Sequence, residues 1–259
     1  MNNDPLHGPR IKIRRANHQI DQAWQEIAAF FKKDPYAIVE EREAETGQRL
    51  LKIKLTERLP DTVLLLVPEA IYHLRSTLDQ LMVALARRAG VKNVSHIYFP
   101  FGETVDAIER ATQTINGKKG KLAGIPLEAQ QMVMELEPYK GGNDDLWGLN
   151  RLSNVDKHLD LVPLGSINTS LLMSGLHLRN AGIELTGENR LDTGITIIRL
   201  GEGGSVTGLH DKANIQIAPQ VAFGDVDVFS GKPVIPTLRR LSQLTEGIVD
   251  TFAARCFGT

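Results

Sequence analysis

Four residues in the middle of the chain share a spacing that places them on one face of a helix. They are Trp147, Arg151, Asn154 and His158. At about 100° per residue, steps of four, three and four residues align them along one side. An indole can stack on a base, a guanidinium can hold a phosphate, and an imidazole can transfer a proton near neutral pH.

This row of side chains supports two interpretations. In the first, His158, Arg151 and Asn154 are catalytic, and Trp147 binds the ligand. The histidine transfers a proton, the arginine steadies developing charge and the amide orients the imidazole. In the second, the same side chains form a hydrogen-bond network that locks one helix against another.

A second polar set lies on an earlier predicted helix. Tyr72, Arg75 and Asp79 fall on one flank of it, beside its apolar stripe. Arg75 and Asp79 are four residues apart and can pair along the helix, worth about 0.3–0.5 kcal/mol when exposed. They are either a helix-bracing ion pair or a guanidinium held beside a cleft to bind an anion. On the second interpretation all three residues bind the ligand.

Both sets depend on helices that the hydrophobic pattern predicts. The first helix is expected from about 68 to 88, with Leu74 and Leu78 on its apolar stripe and Gly90 after its end. The second is expected over 143–160, where Leu149 and Leu152 belong to the apolar side. The two polar sets are therefore predicted to stand at the edges of buried helical faces.

The remaining elements place strands at both ends of the chain. Two strands over 36–45 and 48–58 are joined by a turn at Thr46–Gly47, which predicts a β-hairpin. Further helices are predicted over 17–33, 103–115, 126–136 and 234–256. Further strands are predicted over 169–179, 182–187, 194–200 and 213–223.

This arrangement predicts an α+β fold rather than a βαβ repeat. We expect a central helical bundle packed with an antiparallel sheet, which the early hairpin and the later strands form together. The chain, 1–259, is expected to be a single compact domain. Its helical middle covers about 60–163, and a β-rich later part, about 164–232, is closed by a C-terminal helix.

Composition excludes several classes of protein. Hydrophobic residues make up 42% and charged residues 24%, which is ordinary for a globular protein, and the net charge of −1 provides no global attraction to nucleic acid or anionic membranes. Cys256 is the only cysteine, which excludes an internal disulfide and a thiolate zinc cluster. The histidines are scattered and no nucleotide-binding glycine motif is present, so neither a metal nor a cofactor is predicted.

The location of the protein is predicted from its ends and its apolar runs. Residues 1–5 lack the apolar run of a secretory signal. The apolar stretch Val63–Val67 is far shorter than the ~20 residues of a membrane span and is predicted to be a buried segment. We expect a cytoplasmic protein that does not engage a membrane.

Four short segments resemble a widespread bacterial family of uncharacterised proteins. They are Leu74–Leu81 (LRSTLDQL), 98–101 (YFPF), 136–139 (LEPY) and 154–158 (NVDKH). Their order and spacing also fit, so the resemblance covers roughly residues 60–165. Gln80 stands where the family pattern has histidine, and Tyr72-His73 stands where it has His-Asn. The resemblance to this family implies no particular substrate.

A more distant resemblance is to HEPN domains, helical bundles that often act as metal-independent ribonucleases. Their motif is an arginine followed by four to six residues and a histidine, usually assembled across a dimer. Arg151 and His158 enclose six residues and are similar to this motif, whereas Arg75 lacks the histidine because Gln80 takes its place. The resemblance implies a protein that binds RNA or a nucleotide, acts as a homodimer and needs no metal.

The sequence leaves open whether the protein is an enzyme. One hypothesis is an HEPN-like ribonuclease or its degenerate relative. A second is a non-catalytic module that binds a small ligand, a nucleic acid or a partner protein. A third is a structural subunit of an oligomeric assembly.

Overall fold

The computed structural model describes residues 4–115, 117–158, 163–173, 176–186, 194–208, 215–224 and 226–258. Within these ranges the chain is a mixed α+β protein, as predicted. The helices are α1 (His7–Phe31), α2 (Asp61–Arg88), α3 (Val105–Glu109), α4 (Leu127–Glu135), α5 (Asp144–His158) and α6 (Val234–Phe252). The strands are β1 (Tyr36–Arg42), β2 (Arg49–Leu55), β3 (Thr114–Ile115), β4 (Lys118–Lys119), β5 (Pro163–Met173), β6 (His177–Thr186), β7 (Ile195–Thr207) and β8 (Ile215–Phe223).

Helices α1 and α2 form an antiparallel pair. The start of α1 lies beside the end of α2, and the Thr62 hydroxyl near the start of α2 lies 3.4 Å from Glu26 Oε2 late in α1. The apolar stripe predicted for α2 is buried, and Leu74, Leu78 and Leu81 are fully enclosed. These leucines belong to the helical core, a hydrophobic cluster that also includes residues of α1, α4, α5 and α6, so α2 lies at the centre of that core.

Helix α2 begins seven residues before the predicted start. The apolar stretch 63–67 forms its first turns, in which Val63 and Val67 are fully buried while Leu65 is 64% exposed. Pro68 therefore lies inside the helix, where it removes one N–H from the hydrogen-bond ladder and its ring crowds the carbonyl of the preceding turn.

Helix α1 begins ten residues before its predicted start. The Asp4 carboxylate accepts a hydrogen bond from Leu6 N–H at 2.9 Å, and Ile13 in the early turns is buried. The helical spacing of Ile20, Trp24 and Ile27 predicts that all three face the core, which is wrong for Trp24 because it is 50% exposed. Ala23, its neighbour, faces the core instead.

The early hairpin and two later strands form one antiparallel sheet, as predicted. Its order is β1-β2-β7-β6, so β2 pairs with its hairpin partner on one side and with β7 on the other. The hairpin turn includes Gly47 at φ +69°, a conformation that glycine adopts without strain. Strands β5 and β8 pair separately, and β8 contacts α1 and α6.

The sheet has a hydrophobic cluster of its own. It consists of Leu51, Ile53, Ile195, Ile197, Ile198 and Leu200, with partly buried residues packed against it. Phe31, at the end of α1, packs against both this cluster and the helical core. Helix α1 therefore joins the two clusters at its last residue.

None of the helices in the described ranges is long and apolar enough to cross a membrane.

The stability of the fold should depend on the buried face of α2 and not on its exposed face. Leu78→Ala removes a fully buried side chain and is expected to lower the free energy of unfolding by about 2–5 kcal/mol. Leu65→Ala, on the exposed face of the same helix, should change it by less than about 0.5 kcal/mol. Urea unfolding followed by circular dichroism measures both, and equal losses would contradict this core.

Candidate functional site

The two polar helix faces predicted from sequence meet at Arg75. Its Nε–H donates a hydrogen bond to Asn150 Oδ1 at 3.1 Å, which joins α2 to α5. The guanidinium lies over the ring of Phe101, 4.4 Å from the centroid, and the side chain is only 16% exposed. A cation over an aromatic face in a partly desolvated position is held firmly in one orientation. Arg75 is therefore fixed between the helices.

Asp79 completes this contact one turn further along α2. Arg75 Nη1 lies 2.6 Å from Asp79 Oδ1, although its N–H directions do not align for a hydrogen bond, so the contact is chiefly Coulombic. The same Oδ1 accepts a hydrogen bond from Phe99 N–H at 2.9 Å. Asp79 thus ties the backbone of 99–101 to α2, and that segment carries the ring beneath Arg75.

Three of the four resembling segments pack together here. The segment 98–101 contacts α2 through Asp79 and Arg75, as described above. Directly after it, Gly102 N–H donates to Pro138 C=O at 3.2 Å, and Lys140 N–H donates to Gly102 C=O at 3.3 Å. Segments far apart in the sequence therefore meet at the junction of α2 and α5.

Lys121 adds another positive charge near this junction. Desolvation lowers the pKa of its ammonium group, and the charge of Arg75 lowers it further, while Asp79 opposes both effects. The side chain itself is exposed, so it stands at the rim of the surrounding protein rather than within it. The pKa shift indicates that Lys121 shares the electrostatic environment of the ion pair.

Arg151 lies on α5 next to Asn150 and is more accessible than Arg75. Its Nε–H donates to Asp227 Oδ2 at 2.9 Å, and its side chain is 40% exposed. The hydrogen bond to Asp227 and the charge of that carboxylate raise the pKa of Arg151, with a smaller contribution from Glu103. Arg151 is therefore a fixed, partly exposed cation with acidic neighbours.

The turn that carries Asp227 is held against α5 by close packing. The ring of Phe229 lies so near Gly148 that a Cβ at that position would stand 2.5 Å from its Cε2 atom. Asp227 itself has a φ of +44°, a left-handed conformation that is uncommon for a residue with a side chain. The absence of a side chain at Gly148 thus lets Asp227 reach Arg151.

Trp147 lies beneath the cations instead of beside open solvent. It is 3% exposed, and its ring lies 5.5 Å from Lys140 Nζ and 5.8 Å from the Arg151 guanidinium carbon. An indole enclosed in this way offers no open face for a base to stack on. It supports the two cations through its π-face.

The other predicted site residues are dispersed. Asn154 is exposed on α5. Tyr72 is 51% exposed and faces α1, where Lys12 Nζ lies 5.0 Å from its ring centroid, whereas Arg75 faces α5. The predicted role of the His158 side chain lies outside the residues whose side chains the structure describes.

Sequence reasoning missed several residues of this site. Asn150 had a usable signal, because it is three residues after Trp147 and four before Asn154 and so flanks the predicted row. Asp227 and Lys121 had none, because they come from distant turns that only the folded chain brings near α5 and α2.

Comparison of the chain with protein-family models, curated proteins and solved structures gives no match. Among the residues that the structure describes, no group of three or more histidine, cysteine, aspartate or glutamate side chains is placed to hold a metal ion. What this site can do is therefore judged from its own residues.

The Arg75–Asn150 hydrogen bond should contribute measurably to stability. Asn150→Ala leaves a partly buried guanidinium without its acceptor and is expected to lower the free energy of unfolding by about 1–2 kcal/mol. Asn154→Ala, an exposed position one turn later on α5, should cost less than about 0.5 kcal/mol. Urea unfolding distinguishes them, and equal values would show that the hydrogen bond is dispensable.

Proposed function

We propose that the protein binds RNA or a nucleotide through phosphate groups at the junction of α2 and α5. The observation that supports this most is the Arg75–Asn150 hydrogen bond, because it brings the arginine of α2 beside the arginine-bearing face of α5. The partly exposed guanidinium of Arg151, on the residue next to Asn150, suits the planar, bidentate recognition that phosphate oxygens favour.

Arg151 is the main phosphate ligand in this proposal. Its ion pair with Asp227 is made through Nε, and its side chain is partly exposed. A phosphate approaching from solvent binds the guanidinium, while Lys121 and Lys140 contribute charge from the rim. Arg75 stiffens the surface from below, because its contacts to Asp79, Asn150 and Phe101 fix its position.

Cleavage of RNA, where it occurs, is assigned to the predicted catalytic set. His158 accepts the proton of a ribose 2′-hydroxyl, and the 2′-oxygen bonds to the adjacent phosphorus as the bond from phosphorus to the 5′-oxygen breaks. The departing 5′-oxygen takes a proton from water. Arg151 stabilises the charge that develops on the phosphate, and Asn154 orients the imidazole. One α5 helix supplies half of the groups that such a reaction uses, so the proposed form is a homodimer. The proposed location is the cytoplasm.

Carboxylates that already pair with the arginines favour a second candidate function. Asp79 and Asp227 each neutralise one guanidinium, as expected for a network that braces helices. The protein is then a non-catalytic binding module or a structural subunit, and the α2–α5 junction serves packing alone.

RNA cleavage separates these functions. Purified protein is incubated with a mixed RNA pool, with and without EDTA, beside His158→Ala, Arg151→Ala and a control, Arg240→Ala. Arg240 pairs with Asp145 near the start of α5 at 2.8 Å and is similarly exposed, so the control removes a matched ion pair elsewhere. We expect cleavage that survives EDTA, falls at least about 100-fold in His158→Ala and Arg151→Ala, and persists in Arg240→Ala.

Three other outcomes have distinct meanings. If no sample cleaves RNA but RNA binding depends on Arg151, the protein is a non-catalytic binding module. Absence of both cleavage and binding contradicts the proposal and leaves the bracing network. Equal losses in all three variants indicate a general loss of structure, which circular dichroism checks.

Removal of the carboxylate that competes with phosphate should strengthen RNA binding. Asp227→Asn keeps the size of the side chain and removes its charge, so we expect the affinity for a labelled single-stranded RNA to rise about two- to fivefold at low salt. Asp145→Asn, which frees Arg240 in the same way, should leave it unchanged. Fluorescence anisotropy measures both, and weaker or unchanged binding by Asp227→Asn contradicts a phosphate ligand at Arg151.

A further inference from the structure

A cavity of about 740 Å³ lies between the start of α1 and the end of α2, away from the α2–α5 junction. Its volume is in the range of small-molecule sites, about 300–1,000 Å³. The lining residues that matter for its chemistry are Gln80, Val83, Ala84, Arg87, Arg88 and Phe257.

Two cations line one side of this cavity. Arg87 and Arg88, in the last turn of α2, are both exposed, and Arg88 lies 5.2 Å from the ring centroid of Phe257. Within the described part of the chain, neither guanidinium forms an ion pair with a carboxylate. They differ in this from Arg75 and Arg151, whose charges have carboxylate partners.

Acidic groups near the cavity are turned away from it. None of the described lining residues is acidic. Asp4, in the turn before α1, directs one carboxylate oxygen to Leu6 N–H and the other to Arg10 Nη1, at 3.6 Å. The electrostatic character of the cavity is therefore set by its two arginines.

Apolar side chains line the cavity beside the two arginines, since Val83 and Ala84 lie one turn before Arg87 and Arg88 on the same face of α2. Val83, Ala84 and Phe257 supply the apolar surface. Gln80 Oε1 is enclosed and has no hydrogen-bond partner among the described residues. This oxygen is covered by the start of α1, where a Cβ on Gly8 would stand 2.9 Å from it, so it does not take part in ligand binding.

We propose that this cavity binds an amphipathic organic anion. The anionic head lies on Arg87 and Arg88, since guanidinium groups bind carboxylate, sulfonate and phosphate oxygens in a fork. The body of the ligand packs on Val83, Ala84 and Phe257. This site is independent of the proposed phosphate site at α5.

A pair of fluorescent probes tests the proposal. Anilinonaphthalene sulfonate carries an anionic head, an apolar body and one N–H, and phenylnaphthylamine is the same molecule without the sulfonate. Both are titrated into wild-type protein, Arg87→Gln/Arg88→Gln, and Arg255→Ala. Arg255 lines a separate groove between α4 and α6, so it controls for binding there.

We expect the sulfonate probe to bind the wild-type protein and to lose about tenfold in affinity in the double variant. Phenylnaphthylamine should bind both proteins equally, and Arg255→Ala should bind both probes as the wild type does. The proposal is overturned if the sulfonate probe does not bind, if its affinity is unchanged in the double variant, or if Arg255→Ala weakens it equally. Glutamine keeps a polar side chain at both exposed positions and removes the charge, and circular dichroism confirms that the variant is folded.

Discussion

The candidate site depends on one constraint, the position of the Arg75 guanidinium between α2 and α5. The contact with Asn150 holds α5, the carboxylate of Asp79 holds the segment after α2, and the ring of Phe101 closes the third side. A charge that is only 16% exposed is stable there because each of these groups replaces part of its lost hydration. Arg151 and Trp147 lie on the same helix as Asn150, which the buried Leu146, Leu149 and Leu152 also hold in the helical core.

Much of the fold could be predicted because its signals are local. The stripe of leucines on α2 and the turn at Gly47 each depend on neighbouring residues, and the structure confirms both. The helix starts were less predictable. Pro68 resembled a boundary because proline disfavours a helix interior, yet α2 continues through it, and α1 includes earlier turns in which Pro9 and Ile13 are buried.

The candidate site could be predicted only in part. Helical spacing identified Arg75, Asp79 and Arg151 as polar groups beside buried faces, and the structure places their charges around one junction. Helical spacing could not predict the partners of these residues, because Asp227 is 76 residues from Arg151 and the ring beneath Arg75 comes from an irregular segment. Spacing also cannot separate an exposed indole from a buried one, and Trp147 is buried because charged side chains from two segments lie against it.

Phe31 gives the molecule a mechanical property that neither hydrophobic cluster has alone. Among the described residues it is the only one that packs against both the helical core and the sheet, and β1 begins five residues after it. Fraying of the last turn of α1 would therefore loosen the sheet from the helices while leaving the hydrogen bonds within each intact. Backbone amide exchange in β1 and β2 is consequently coupled to the integrity of a helix end that donates no hydrogen bond to either strand.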